Sequence, residues 1–354
     1  MAVYTVLSPE VVAAMVAVHP EINGPPPGLQ LVGLDGIAQG SINTTYRLTM
    51  SDGSVWFLRV NEGKAFEVLL RERDLLDRLA QRGEQWLGAV TPRMVKSVAG
   101  SRFYAIDDDD DVAVEHRRGR RWASIFPQLP GRDLAVFEVS PVHGQQVGAF
   151  LGNAHVALRR WPGGPNRYGL DVVDRWLTGL EAVAETHDTA VSLGRSLRDV
   201  RRHRALMMRG TIHGDLFIDN TKWDLDADHS PRLRAVFDWE MAGRDHLMLD
   251  VAIAVCAWAF RRQGAVIVFL PDVAAAIVAG YQRRRRFAPV DKRGLFQELR
   301  LASVRFAASR LRDFAVPRAG PEPERRVLDP ADFVQRLQWL EGQGERAVRR
   351  ALGM

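Results

Sequence analysis

Leu69, Leu70, Leu75, Leu76 and Leu79 fall on one face of a 3.6-residue helix, with charged residues between them, so the spacing predicts a helix over residues 67–82. Around it the pattern follows the strand period. Residues 29–34, 44–50 and 55–60 read as short strands, the last two joined by the turn Ser51-Asp52-Gly53-Ser54. Residues 94–98, 103–106 and 122–126 read as further strands. Before them, residues 1–20 have a helical pattern with Ser8 as N-cap, Pro9 at the first helical position and Glu10 in the first turn. Pro25-Pro26-Pro27-Gly28 stops that helix.

Past Pro127-Gln128-Leu129-Pro130-Gly131 the strand signals nearly vanish. Helical patterns cover residues 143–157, 170–186, 194–207, 245–262, 273–285, 291–312 and 329–351, and residues 232–238 are the exception, a short strand. The expected fold class is α+β and bilobal: a small antiparallel-sheet N-lobe over residues 1–125 and a larger, mostly helical C-lobe over residues 126–354. A nucleotide site is expected in the cleft between such lobes.

Composition narrows the function classes. At 354 residues, with 46% hydrophobic and 26% charged positions, the chain has the make-up of a soluble globular protein. No apolar run approaches the roughly 20 residues of a membrane span, and the first residues lack a basic leader, so a cytoplasmic protein is expected. The single cysteine, Cys256, sits in an apolar stretch and is expected to be a core residue. The net charge of +5 raises nucleic acid as a partner, but no nucleic-acid-binding motif accompanies it. The run Arg283-Arg284-Arg285-Arg286 is expected to be a solvated helix end, and the five acids at residues 107–111 an exposed turn.

The chemistry is concentrated in His213-Gly214-Asp215-Leu216-Phe217-Ile218-Asp219-Asn220, followed by Phe237-Asp238-Trp239. An Asp five positions before an Asn is the spacing protein kinases use, where the Asp takes the hydroxyl proton and the Asn holds magnesium. Asp215 is therefore the candidate catalytic residue, with Asn220 and Asp238 as metal ligands of the hard-oxygen kind that magnesium prefers. A surface turn would also use Gly and Asp. Against that, apolar Leu216, Phe217 and Ile218 inside the segment point to a loop anchored in the core. His213 is expected to bond the loop backbone, and Asp250 to brace the loop.

Upstream, residues 36–43 form a glycine-bearing connection in which Gly36, Gly40 and Ser41 are candidates for covering phosphates. Arg59, on the strand at 55–60, stands where a kinase has its phosphate-pairing lysine, with Glu72 on the next helix as ion-pair partner. Lys64, beyond the strand, is the weaker candidate for that charge.

These blocks resemble the aminoglycoside phosphotransferase and choline kinase superfamily, which has a protein-kinase-like fold. His213-Gly214-Asp215 through Asn220 and Phe237-Asp238-Trp239-Glu240-Met241-Ala242-Gly243, with Asp250 beyond, are similar to its two signature blocks. Within it, several segments look like the bacterial homoserine kinase branch: Met1-Ala2-Val3-Tyr4-Thr5, the pair Leu216-Phe217, Asp250-Val251-Ala252-Ile253, Arg305 through Asp313, and Asn166 with Gly169 and Leu170. Gly214 and Trp239-Glu240 depart from that branch toward the wider superfamily.

The resemblance implies an ATP- and Mg2+-dependent kinase acting on a small-molecule hydroxyl, L-homoserine first, as a monomer or homodimer that takes neither nucleic acid nor membrane as partner. An aminoglycoside or other amino-alcohol phosphotransferase and a catalytically silent kinase-fold binding protein stay open as alternatives. For homoserine, Arg310 or Arg312 is the candidate clamp for the carboxylate, and Glu240 or Asp245 for the ammonium.

Overall fold

The computed structural model of the protein describes residues 5–22, 28–37, 43–106, 121–315 and 328–354. Gly40 and Ser41 of the expected phosphate cover, the stop at Pro25-Pro26-Pro27, the opening Met1-Ala2-Val3-Tyr4 and the acidic run at 107–111 lie outside the described residues. The chain divides into two compact units, with the boundary falling inside one helix.

The first unit takes in the described residues within Met1–Asp74 and Pro92–Leu129. It holds α1 (Pro9–Ala17), β1 (Leu31–Gly36), β2 (Thr44–Met50), β3 (Val55–Asn61), most of α2 (Phe66–Ala80), β4 (Tyr104–Ile106) and β5 (Arg121–Pro127). The five strands form one antiparallel sheet in the order β1-β2-β3-β5-β4. β2 alternates buried Thr44, Tyr46, Leu48 and Met50 with more exposed neighbours, as a half-covered sheet requires. Val12, Met15 and Val16 of α1 join that core with Leu58 and Val60 of β3. Ser8 caps α1 by accepting from the Val11 N–H. Residues 94–98 form no strand; Val95 gives one backbone hydrogen bond to Ile125 and buries its side chain.

The second unit, with Leu75–Thr91, Pro130–Pro317 and Leu328–Met354, is helical with three small sheets. Its helices are the single turn α3 (Glu84–Leu87), then α4 (Pro141–Ala157), α5 (Leu170–Glu181), α6 (His187–His203), α7 (Leu247–Trp258), α8 (Pro271–Gln282), α9 (Pro289–Arg310) and α10 (Ala331–Ala351). Its strands pair antiparallel: β6 (Arg209–Ile212) with β9 (Gly243–His246), β7 (Thr221–Leu225) with β8 (Pro231–Val236), and β10 (Phe260–Gln263) with β11 (Val266–Phe269).

Past residue 131 the expected short strand at 232–238 is found as β8, and the other strands of these pairs add to the mostly helical expectation. The predicted helix over 245–262 is shorter at both ends. Residues 243–246 pair with β6, and residues 260–263 turn into β10, leaving α7 between. Every residue of α7 is buried, so this apolar stretch is a core helix, and no described helix is long and apolar enough to cross a membrane. Cys256 lies within it, where burial pushes its thiol up to about 11 and keeps it protonated. α4 and α8 pack backbone to backbone: a Cβ on Gly148 would overlap the Ile277 carbonyl, and one on Gly280 the Gln145 carbonyl.

Candidate active site

The loop between β6 and β7 begins at His213 and is tied down at almost every residue. Asp250, fully buried on α7, accepts the His213 N–H at 2.7 Å on Oδ2 and the Gly214 N–H at 2.8 Å on Oδ1. Its Oδ2 also takes His155 Nε2 at 2.9 Å, and His155 Nδ1 meets the Tyr281 hydroxyl at 2.8 Å. Burial alone would raise the Asp250 carboxyl. The His155 hydrogen bond, the two nearby imidazoles and the Gly214 N–H outweigh that and hold it below the usual range. A buried carboxylate thus fixes the two peptide units before Asp215.

Gly214 adopts φ 81°, and a Cβ there would stand 2.8 Å from the Met241 carbonyl oxygen, so both conformation and space call for glycine. His213 accepts the Asp215 N–H on Nδ1 at 3.3 Å and donates from Nε2 to the Phe237 carbonyl at 3.1 Å. One neutral tautomer satisfies both bonds. Burial lowers the imidazole to about 4, which keeps it neutral near pH 7. Further along, Leu216 is fully buried and its carbonyl accepts from Trp258 Nε1, while the Phe217 ring packs on Phe306 and Phe333.

Asp215 faces Asn220 across the loop. Asn220 Nδ2 donates to the Asp215 carbonyl at 2.8 Å and to its Oδ2 at 3.3 Å. Burial raises the Asp215 carboxyl to about 7. The Arg305 charge and the Asn220 hydrogen bond pull it down, while Asp219 and Glu240 push it up. A carboxylate at that position on the scale is suited to taking a proton from a bound hydroxyl near neutral pH. Asn220 Oδ1 accepts no hydrogen bond from a described residue, and the Asn220 main-chain carbonyl takes the Phe237 N–H at 3.0 Å, joining the two sequence blocks.

Asp238 follows β8 with φ 62° and ψ 63°, a left-handed conformation that a non-glycine residue adopts at a cost of roughly 1–3 kcal/mol. The donors fit a hard divalent cation that takes one amide oxygen and one carboxylate from protein and the rest from phosphate and water. Among the described residues no cluster of three or more His, Cys, Asp or Glu is placed to hold a metal. A site of the sparse kind is what Asn220 and Asp238 can supply.

In the first unit, Arg59 on β3 donates to Glu72 on α2 at 2.6 Å and lies 5.0 Å from the Phe126 ring centre. Lys64, its side chain only 4% exposed, stands 3.9 Å from the other Glu72 oxygen. Glu72 therefore gathers two cations rather than one, a convergence that the loop position of Lys64 did not signal. Gly36 ends β1 opposite Tyr46 and is exposed.

The proposed acceptor-binding residues sort differently. Asp245 is in β9 and buried, not at an exposed helix start: Oδ1 takes Arg204 and the His246 N–H, and Oδ2 takes Asn166. Both its oxygens are already used. Arg310 donates to Asp332 and to the Asp329 carbonyl over the Phe333 ring, and Arg312 lies over Trp176 with two bonds to Asp313. Arg310 Nη1 and Arg312 Nε and Nη2 thus already have partners within the protein. Glu240 is half-buried in the turn after Asp238 and acts on Asp215 through its charge. A further residue, Arg305, has its electrostatic influence on Asp215 and was singled out by no local pattern.

The family described as "Phosphotransferase enzyme family" matches the chain over residues 33–290. A homoserine kinase of Nitrobacter hamburgensis is 27% identical over 321 residues, 89% of each chain. Among solved structures, the amicoumacin kinase hAmiN, in complex with AMP-PNP, Ca2+ and Ami, superposes with TM-score 0.63 at 16% identity, covering 95% of this chain and 93% of that one. A microcompartment-associated aminopropanol kinase gives TM-score 0.56 at 19% identity, covering 97% and 98%. These likenesses show the α+β, protein-kinase-like fold.

Proposed function

Because the chain belongs to the phosphotransferase enzyme family, we propose that it transfers the γ-phosphate of ATP to the hydroxyl of L-homoserine with Mg2+ as the divalent cation. The reaction class, a phosphotransferase with an alcohol group as acceptor, follows from the family. The donor, the metal and the acceptor are our reading of the site.

The observation that carries this reading is the pair formed by Asp215 and Asn220, held by a loop whose backbone is fixed through Asp250. Asp215 orients the acceptor hydroxyl and takes its proton as the phosphoryl group arrives. Asn220 Oδ1 and the Asp238 carboxylate would hold the cation, which would supply positive charge to offset that developing on the phosphate. In the first unit Arg59, oriented by Glu72, supplies the phosphate-pairing charge. Glu240, half-buried in the turn after Asp238, is the acid assigned to receive an ammonium group.

Homoserine is favoured as acceptor by the homoserine kinase relative that covers 89% of each chain. An acceptor panel of homoserine, choline, ethanolamine, sugars and aminoglycosides, read by ADP release, tests it. The expected result is turnover with homoserine that disappears in Asp215→Ala while nucleotide binding persists. Activity confined to an aminoglycoside would refute the homoserine assignment and leave the chemistry standing.

A further inference from the structure

Several enclosed arginines among the described residues meet carboxylates. Arg204 meets Glu298 and Asp245, Arg300 meets Asp199 and Glu341, and Arg310 meets Asp332. Arg305, on α9 and 3% exposed, does not. It makes no hydrogen bond or ion pair with a described residue, and its Nη1 is wholly enclosed without a partner. The guanidinium lies 4.7 Å from the Phe306 ring centre and 5.4 Å from that of Tyr168. Two aromatic rings therefore lie beside the cation while Nη1 goes unmet.

The surroundings show how an unpaired cation is tolerated and which charges act on it. Burial weakens the charged form of Arg305, and Asp215, Tyr168, Asp250 and Asp245 act to retain it. Phe306, against which it rests, packs on Phe217 of the catalytic loop at 4.8 Å. Tyr168 is placed by its N–H on Asn166 Oδ1, and Asn166 in turn donates to Asp245. Arg336 also has enclosed, unpartnered donors, but the charges acting on it are Cys256, Arg310, Asp332 and Arg262. Asp215 is not among them. Arg305 is thus a buried cation without a hydrogen-bonding partner, packed beside the ring that contacts the catalytic loop and close enough for its charge to act on Asp215.

Resting on the proposed reaction, we infer that Arg305 receives the carboxylate of the acceptor, so that the enzyme selects hydroxy amino acids over plain amino alcohols. A planar fork of donors held between two rings matches a carboxylate in two-point geometry, and the anion supplies the missing counter-charge on binding. The ligand-free protein carries the cost of an unpaired buried charge, and the substrate relieves it.

The test compares wild type with Arg305→Met and Arg305→Lys, using L-homoserine and 3-aminopropan-1-ol, which is homoserine without its carboxylate. The expected KM for homoserine rises roughly 10- to 100-fold in Arg305→Met and less in Arg305→Lys, while the KM for the amino alcohol stays within about threefold. Arg305→Met, which replaces an unpaired charge by an apolar chain, is expected to melt at or above the wild-type temperature without substrate. Equal loss with both acceptors, or a fall in kcat for both, overturns the inference and points to the transferred phosphoryl group as the anion Arg305 meets. A wild-type enzyme that uses the amino alcohol and rejects homoserine overturns the proposed acceptor and this inference together. A stability drop in Arg305→Met, with homoserine KM unchanged, also overturns it and makes Arg305 a packing residue.

Discussion

Asp250→Asn is the most informative single substitution outside the reacting groups. The wild-type carboxylate accepts three hydrogen bonds, from the His213 N–H, the Gly214 N–H and His155 Nε2, at 2.7–2.9 Å in a fully buried position. Each bond to a buried charged acceptor contributes about 1.5–3 kcal/mol, and breaking one side of such a buried set costs about 3–5 kcal/mol in total, since the terms are not additive. Asparagine keeps the shape and one acceptor oxygen, but turns an NH2 group toward backbone donors. We expect a stability loss of roughly 3 kcal/mol, seen as a lower thermal midpoint. The functional consequence is sharper. The two peptide units that lose their anchor carry Asp215, and a misplacement of about 1 Å at a reacting group costs on the order of 100-fold in rate. The kcat should therefore fall by about that factor, while the KM for ATP stays within about threefold because the nucleotide-pairing charge resides elsewhere. Melting curves and initial rates on the same preparations provide both readings. A variant with wild-type kcat despite reduced stability would refute the bracing argument. Unchanged stability would refute the premise that Asp250 is the acceptor of these bonds.

Three further outcomes follow from the same geometry. His213 titrates at about 4 in the folded protein against roughly 6.5 unfolded, so its contribution is complete above about pH 6.5 and is lost as pH falls toward 4. That amounts to about 1.4 kcal/mol per pH unit, and urea unfolding at pH 7, 6 and 5 should show a shallower acid slope for His213→Gln than for wild type; equal slopes would contradict a buried neutral imidazole. Gly214→Ala should lose about 1–3 kcal/mol of stability along with most turnover, because it places a Cβ 2.8 Å from the Met241 carbonyl at φ 81°; a fully active variant would show that the loop conformation is not required. Glu72→Ala should raise the KM for ATP about tenfold with the acceptor KM unchanged, since Arg59 loses the 2.6 Å contact that orients it; steady-state kinetics with each substrate varied would expose a different pattern.

What the chain discloses in its order of residues is the part of the site that is local. His213 to Asn220 and Phe237 to Trp239 each lie within one loop, so their spacing could be read directly. β2 and α2 were legible for a similar reason, because an alternating or helical stripe of apolar residues reports one covered face. The strands β6, β9, β10 and β11 were not. Each has four residues, too few to establish a period, and β6 finds its partner β9 more than 30 positions later. The brace is likewise distant, as His155 reaches Asp250 across 95 positions and Tyr281 across 126. Arg305 shows the deeper limit. Among 48 lysines and arginines nothing in the sequence marks Arg305 as one with an unmet donor, because a missing partner is a property of packing alone.

The central claim is that Asp215 takes the proton of an amino-acid hydroxyl as phosphate arrives from a nucleotide. Phosphorus NMR of a mixture of the protein, ATP, Mg2+ and L-homoserine tests it most directly, run beside Asp215→Asn with nucleotide affinity measured separately by calorimetry. The account predicts a new phosphomonoester resonance with wild type, none with the variant, and similar nucleotide affinity for both. Phosphomonoester formed at the wild-type rate by Asp215→Asn would contradict it.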